Sequence, residues 1–276
     1  MENKAFVDTH AHINMMVKKN FDILLTSQEL DDAATIIQEA ADTQVETLIN
    51  VGTSLVESIN CIKLAHMYKS VYAVVGIHPN DCTETWRTDF QEIVTFVHNK
   101  KQHKIVGIGE CGLDMHYPDF NLQRQKDAFH AHIELALKHD LALVVHSRDA
   151  YDETLQVIEM YKHDIKRGVM HCFSYDRAFA DYVVQHNFLL GIGATVTYPK
   201  NNELRAILQA YDLSHIVLET DAPFLPPQAL RGKQNHPKYI ATIAEYIAQL
   251  KQMSVEEVAS ITTQNARKLF NLGNTA

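Results

Sequence analysis

The chain has no apolar stretch near the roughly 18 residues that a bilayer crossing needs. Its richest runs, such as LALVV at 141–145, are short and end in polar residues, so no membrane partner is expected. Cysteine is scarce: Cys61, Cys82, Cys111 and Cys172 lie far apart and form no C-x-x-C pair. That excludes a disulfide framework and a cysteine zinc knuckle, and leaves reduced thiols as the default. Glycine and proline number only 10 and 7, and no segment is rich in either, so collagen-like and low-complexity organisations fall away. Positive charge is short too, with 25 Lys and Arg against 34 Asp and Glu, a formal charge of −9. Long-range attraction cannot deliver such a protein to nucleic acid, and any phosphate binding must be local. The opening MENKAFVDTHAH has an acid at position 8 where a signal peptide needs apolar length, and a cytoplasmic location is expected.

What is plentiful is apolar residue, 46% of the chain, and histidine, with 16 copies. The first provides a packed core and the second invites a search for metal chemistry. A length of 276 residues suggests two average domains, but α/β barrels commonly occupy it as one unit.

Short β-rich runs recur along the whole length, at 5–8, 47–52, 71–77, 104–109, 141–146, 168–171, 188–193 and 215–220. Most are continuously apolar, as expected of parallel strands covered on both faces. Helical periodicity lies between them. The stretch 26–43 opens with Thr26 and Glu29 at capping-box spacing, and Ser54 with Glu57 and Ser254 with Glu257 repeat the signal. No linker rich in Gly, Ser or Pro interrupts the alternation, which ends in helical segments near 238–250 and 254–270. The pattern predicts a single domain over 1–276, an α/β TIM-type (β/α)₈ barrel with an additional C-terminal helix. A doubly wound open sheet is the alternative that periodicity alone leaves standing.

Barrel enzymes place their active sites at the C-terminal ends of the strands. The predicted ends carry Asp8-Thr9-His10-Ala11-His12, His78, Glu110, His146, His171 and Glu219-Thr220-Asp221, while the second and seventh end in Gly52 and Gly193. His10 and His12 stand two apart on an extended segment, so both imidazoles project from one face. His130 and His132 have the same spacing inside a helical stretch, where they diverge by about 200° and should not chelate. His10, His12, Glu110, His146, His171 and Asp221 are too many donors for one tetrahedral ion with an open position; they fit two ions sharing a bridge. Glu110 is the natural bridge, with His10, His12 and Asp221 on one side and His146 and His171 on the other. Imidazole and carboxylate without thiolate suit Zn²⁺, Mn²⁺, Mg²⁺ or a similar divalent ion. Cys111 and Cys172 flank ligands but should face away from them as packed thiols. Gly107, Gly109 and Gly112 match the G-x-G-x-x-G dinucleotide fingerprint, but LDMHYPDF follows, which does not start a helix, and Glu110 would repel pyrophosphate. Close backbone packing around Glu110 is the better reading.

With DTHAH, GIGECGLD, HSR, HCF and LETDAPFLP in this order, the chain resembles the TatD family of metal-dependent deoxyribonucleases, among the amidohydrolase-like metallohydrolase barrels, from about Phe6 to Phe270. The resemblance implies a TIM-type barrel with a two-metal centre on the six ligands above. It also implies hydrolysis of DNA phosphodiesters, with 3′–5′ exonuclease action on a single strand or duplex end as the expected mode. Glu110 stands where amidases of cyclic substrates often carry a carbamylated lysine. In this reading metal-activated hydroxide attacks phosphorus, Glu110, Asp221 and Glu219 are catalytic, and Asp221 accepts the water proton. Glu219 orients a ligand. His78, Arg148, Arg231, Lys233 and Asn235 are candidates for gripping phosphates, and Tyr117 and Phe173 for stacking on bases. Two rivals use the same residues differently: a deacylase or amidohydrolase, such as one acting on aminoacyl-tRNA, and a barrel that only binds.

Overall fold

The computed structural model describes residues 5–273. Eight parallel strands follow one another in sequence order around one sheet: β1 (Phe6–Ala11), β2 (Val45–Val51), β3 (Val71–Val75), β4 (Ile105–Asp114), β5 (Ala142–Arg148), β6 (Gly168–Met170), β7 (Phe188–Ile192) and β8 (Ile216–Leu218). Such an order requires each crossover to carry its chain across the outer face. The helices α1 (Ile13–Met16), α2 (Ser27–Asp42), α3 (Leu55–Met67), α4 (Trp86–His98), α5 (Leu122–His139), α6 (Tyr151–Tyr161), α7 (Arg177–Gln185) and α8 (Asn202–Ala210) lie between strands, and α9 (Ile240–Lys251) and α10 (Val255–Leu269) follow β8. None of the described helices is long and apolar enough to cross a membrane.

The barrel all but closes between β8 and β1. The seam is a single backbone bridge, Ala11 with Ala222, flanked by Asp221 N–H donating to the His10 carbonyl (2.8 Å) and His12 N–H to the Ala222 carbonyl (2.7 Å). Lower down, side chains replace the ladder. Thr9 Oγ1 donates to the Leu218 carbonyl (2.9 Å), and the Asp8 carboxylate accepts from Thr220 N–H (3.0 Å) and Thr220 Oγ1 (2.6 Å). Burial nevertheless pushes the Asp8 carboxyl up to about 8.

Two apolar layers follow from strands that are buried on both faces. Val7, Ile49, Val51, Val74, Val144, Val169 and Val217 pack with Leu269 and Phe270, so the end of α10 stoppers the barrel away from the strand C-termini. The outer layer, including Leu48, Ile108, Leu143, Phe129 and Ile243, joins strands to helices. The boxes at Thr26 and Ser254 form in both directions, whereas Ser54 receives only the Glu57 N–H because the Glu57 carboxylate is engaged elsewhere.

Three strands run past the ends that the sequence pattern indicates, β5 by two residues, to Arg148 rather than 146. β1 continues to Ala11 rather than stopping at 8, and β4 to Asp114 rather than 109. In β4 the glycines are the close-packing positions that the sequence suggests. A Cβ on Gly109 (φ +141°) would lie 2.4 Å from the Val144 carbonyl oxygen, and one on Gly112 (φ +138°) 2.0 Å from that of His146. The dinucleotide-like motif therefore lies inside a strand whose register shifts between Ile108 and Cys111, and no helix begins there.

Candidate metal centre

Extended backbone at the end of β1 turns His10 and His12 to one side, and their Nε2 atoms lie 3.2 Å apart. The β4 irregularity carries Glu110 between them and the histidines of β5 and of the turn that follows β6. Glu110 Oε2 is 3.3 Å from His10 Nε2 and 3.8 Å from His12 Nε2. Its other oxygen, Oε1, is 3.0 Å from His146 Nδ1 and 3.8 Å from His171 Nε2. Asp221 Oδ1 lies 3.2 Å from His12 Nε2, 3.8 Å from His10 Nε2 and 3.7 Å from His171 Nε2. The fold thus brings His10, His12, Glu110, His146, His171 and Asp221 together.

Outer partners fix which nitrogen each ring turns inward. His12 Nδ1 is 2.8 Å from the Val51 carbonyl, so it carries the proton and Nε2 presents a lone pair. His146 Nε2 is 3.0 Å from Asp114 Oδ2, which leaves Nδ1 as its inward atom. His171 Nδ1 approaches Glu219 Oε1 at 3.0 Å, and Glu219 also accepts the Cys172 N–H at 2.6 Å. A Cβ on Gly191 would come within 2.4 Å of Glu219 Oε2, so that glycine makes room for the carboxylate.

Lone pairs from imidazole and carboxylate facing one another repel unless a cation lies between them. The titration behaviour carries the same message. Burial alone would raise the Glu110 carboxyl, but His10, His171 and His78 hold it well below the usual range. Burial opposes a charge on His171, yet Glu219, Glu110 and Asp221 push it up to about 10. A negative potential able to hold protons so firmly is equally available to metal ions. His10 Nδ1 is buried without a hydrogen-bond partner, while its Nε2 is the atom that faces Glu110 and Asp221. The donor set fits divalent cations, with His10, His12 and Asp221 as one cluster of suitable spacing.

His78 lies at the edge, its Nε2 3.7 Å from Glu110 Oε1. Its Nδ1 accepts the Asn80 N–H at 3.1 Å, which assigns the proton to Nε2. Burial, with His146 beside it, pushes its pKa down to about 3. Arg148 ends β5 at the rim of a cavity of about 630 Å³ that also holds the centre, its guanidinium 5.9 Å from the Tyr117 ring.

Other expectations require correction. Asn235 is 1% exposed and donates to the carbonyls of Thr220 (2.7 Å) and Leu225 (3.3 Å), so it clamps the loop after β8 and has no free amide for a phosphate. Arg231 stacks on Tyr198 at 5.3 Å, and neither it nor Lys233 lines the cavity. Phe173 is buried packing, whereas Tyr117 is exposed. Cys111 is packed as expected, but Cys172 lines the cavity, because it lies beyond the end of β6 where strand alternation no longer applies. His132 and His130 diverge: His132 accepts the Ile77 N–H at 2.9 Å, and His130 meets the Tyr161 hydroxyl at 3.0 Å.

The sequence reading missed Asp114, and it placed Asp8 at the end of the first strand without giving it a role. Asp114 stands four positions after Glu110 in the same run, and Asp8 two before His10, so the period of two was a usable signal for both.

Comparison with known proteins agrees with this architecture. The chain is 32% identical over 265 residues to the uncharacterized metal-dependent hydrolase YabD of Bacillus subtilis, covering 96% of this chain and 98% of that protein. It is 30% identical over 260 residues to the 3′-5′ ssDNA/RNA exonuclease TatD of Salmonella typhimurium, covering 91% and 99%. The crystal structure of YjjV, a TatD homologue from Escherichia coli K12, superposes with a TM-score of 0.85 at 27% identity, covering 99% of this chain and 100% of that one. The sequence pattern of the TatD related DNase family matches residues 7–271, and the chain is a metal-dependent hydrolase belonging to that family.

Proposed function

We propose that the protein cleaves phosphodiester bonds of DNA, removing nucleotides 3′ to 5′ from a single strand or a duplex end, with two divalent cations held by His10, His12, Glu110, His146, His171 and Asp221. The observation that carries this reading is the division of Glu110, whose Oε2 faces His10 and His12 while Oε1 faces His146 and His171. A pair of bound ions supplies Lewis acidity, which lowers the pKa of water and offsets charge on the phosphoryl oxygens.

The chain's own groups do the rest. Burial would raise the Asp221 carboxyl, but the neighbouring imidazoles of His12, His171 and His10 hold it below the usual range. It therefore stays ionised, as a group that receives a water proton must be. Asp114 and Glu219 orient His146 and His171. His78, neutral with its proton on Nε2, is a donor for a phosphoryl oxygen, and Arg148 grips the next phosphate. The name of the Salmonella relative supports the same substrate class.

Stripping the metal should abolish release of nucleotides from an oligonucleotide, and Mg²⁺, Mn²⁺ or Zn²⁺ should restore it. Glu110→Ala should lose both ions together by metal analysis. DNA cleavage at an unchanged rate by the stripped protein overturns the proposal, as does release of amino acid from aminoacyl-tRNA without any release of nucleotide.

A further inference from the structure

The cavity wall holds two large rings that neither the core nor the metal centre uses. Phe21 is 57% exposed and Phe224 43%, and both line the cavity. Phe224 stands edge-on to His12, with ring centroids 5.9 Å apart, and is therefore one small moiety away from the candidate ligands.

Neither ring is exposed through looseness of its loop. Phe224 N–H donates to the Asp221 carbonyl (2.8 Å), and Asn235 holds the same loop through Thr220, Pro223 and Leu225. Phe21 precedes Asp22, whose N–H donates to Glu57 Oε1 (2.7 Å) and whose carboxylate accepts from Ser54 (2.6 Å). The buried Lys18 donates to both Glu57 oxygens and to the Ile23 carbonyl (3.0 Å), and Asn60 donates to the same carbonyl (2.8 Å). Glu57 and Asn235 are thus positioning residues that hold apolar faces against water, an arrangement that favours a flat apolar partner.

Charge selects that partner. Asp22 and Asp81 share the cavity with Phe21, while Arg148 contributes a guanidinium to its lining. An anionic sugar-phosphate chain is drawn to Arg148 and repelled from the acids, which leaves the neutral base to the phenyl rings. A protein segment is disfavoured because the rings sit inside a concavity of about 630 Å³, within the roughly 300–1,000 Å³ range of small-ligand sites.

We propose that Phe21 and Phe224 are the stacking surface for the base of the terminal nucleotide, the one whose phosphate is cleaved. The inference rests on the phosphodiesterase reading. Stacking makes no base-specific hydrogen bond, so the end is recognised as bearing a base without regard to which one.

The test compares Mn²⁺-loaded wild type, Phe21→Ala, Phe224→Ala and Phe224→Trp on oligonucleotides that end in a normal or an abasic residue. A terminal 2-aminopurine reports stacking by fluorescence quenching. Wild type should favour the base-bearing end by roughly tenfold or more in kcat/KM, mainly through KM. Each alanine variant should lose most of that preference and most of the quenching, and Phe224→Trp should keep both. Alanine variants that retain the wild-type preference and quenching overturn the inference while leaving the nuclease reading intact. Wild type that cleaves neither oligonucleotide overturns both.

Discussion

A single carboxylate such as Asp114 illustrates how an outer residue sets an imidazole that is proposed to hold metal. By accepting from His146 Nε2 it leaves Nδ1 free to face Glu110. Asp114→Asn offers a weaker, neutral acceptor, and affinity for the ion held by His146 should fall roughly 10- to 100-fold. Isothermal titration with metal checks this, and unchanged affinity for both ions would contradict the orienting role. Asn235 makes the opposite point, because its position in a basic loop suggested substrate while its burial says structure. Asn235→Ala leaves the Thr220 carbonyl unsatisfied and should cost about 1–3 kcal/mol in urea unfolding. Weaker oligonucleotide binding with no loss of stability would return it to the phosphate-gripping group.

At the level of strands and helices, β4 is where conformation and site meet. Gly112→Ala would place a methyl 2.0 Å from the His146 carbonyl oxygen at a φ of +138°. The strand and its β5 partner must then part, at a cost of about 2 kcal/mol or more, measurable by denaturation. A fully stable variant with normal metal content would show that the close approach is dispensable. This strand also marks the limit of reading the chain unaided. The eight-fold alternation was legible because parallel strands covered on both faces leave continuous apolar runs. The convergence of His10, His12, Glu110, His146, His171 and Asp221 was legible because strand ends meet in a barrel. The second half of β4 was not, since glycine signals a turn and a crowded strand alike. Phe21 and Phe224 were overlooked because local sequence does not distinguish an exposed ring from a buried one, and Glu57 was read as a helix cap when Lys18 and Asn14 had claimed its carboxylate.

For the molecule as a whole, acid sensitivity follows from histidines that must stay neutral. Burial drives the pKa of His132 down to about 4, against 6.5 in the unfolded chain. Between those values the unfolded state binds the extra proton, so stability is fully present above pH 6.5 and declines as pH falls toward 4. The loss is roughly 3 kcal/mol from this residue. Urea midpoints across that range should fall for the wild type and fall less for His132→Gln; equal slopes would remove His132 as the cause. The barrel seam has a different consequence. His10 and Asp221 are far apart in the sequence, yet a backbone hydrogen bond stitches one to the other. During synthesis, then, the cation grip cannot assemble until the chain has emerged past Asp221, and an unfinished chain stays chemically silent until its eighth strand docks beside its first.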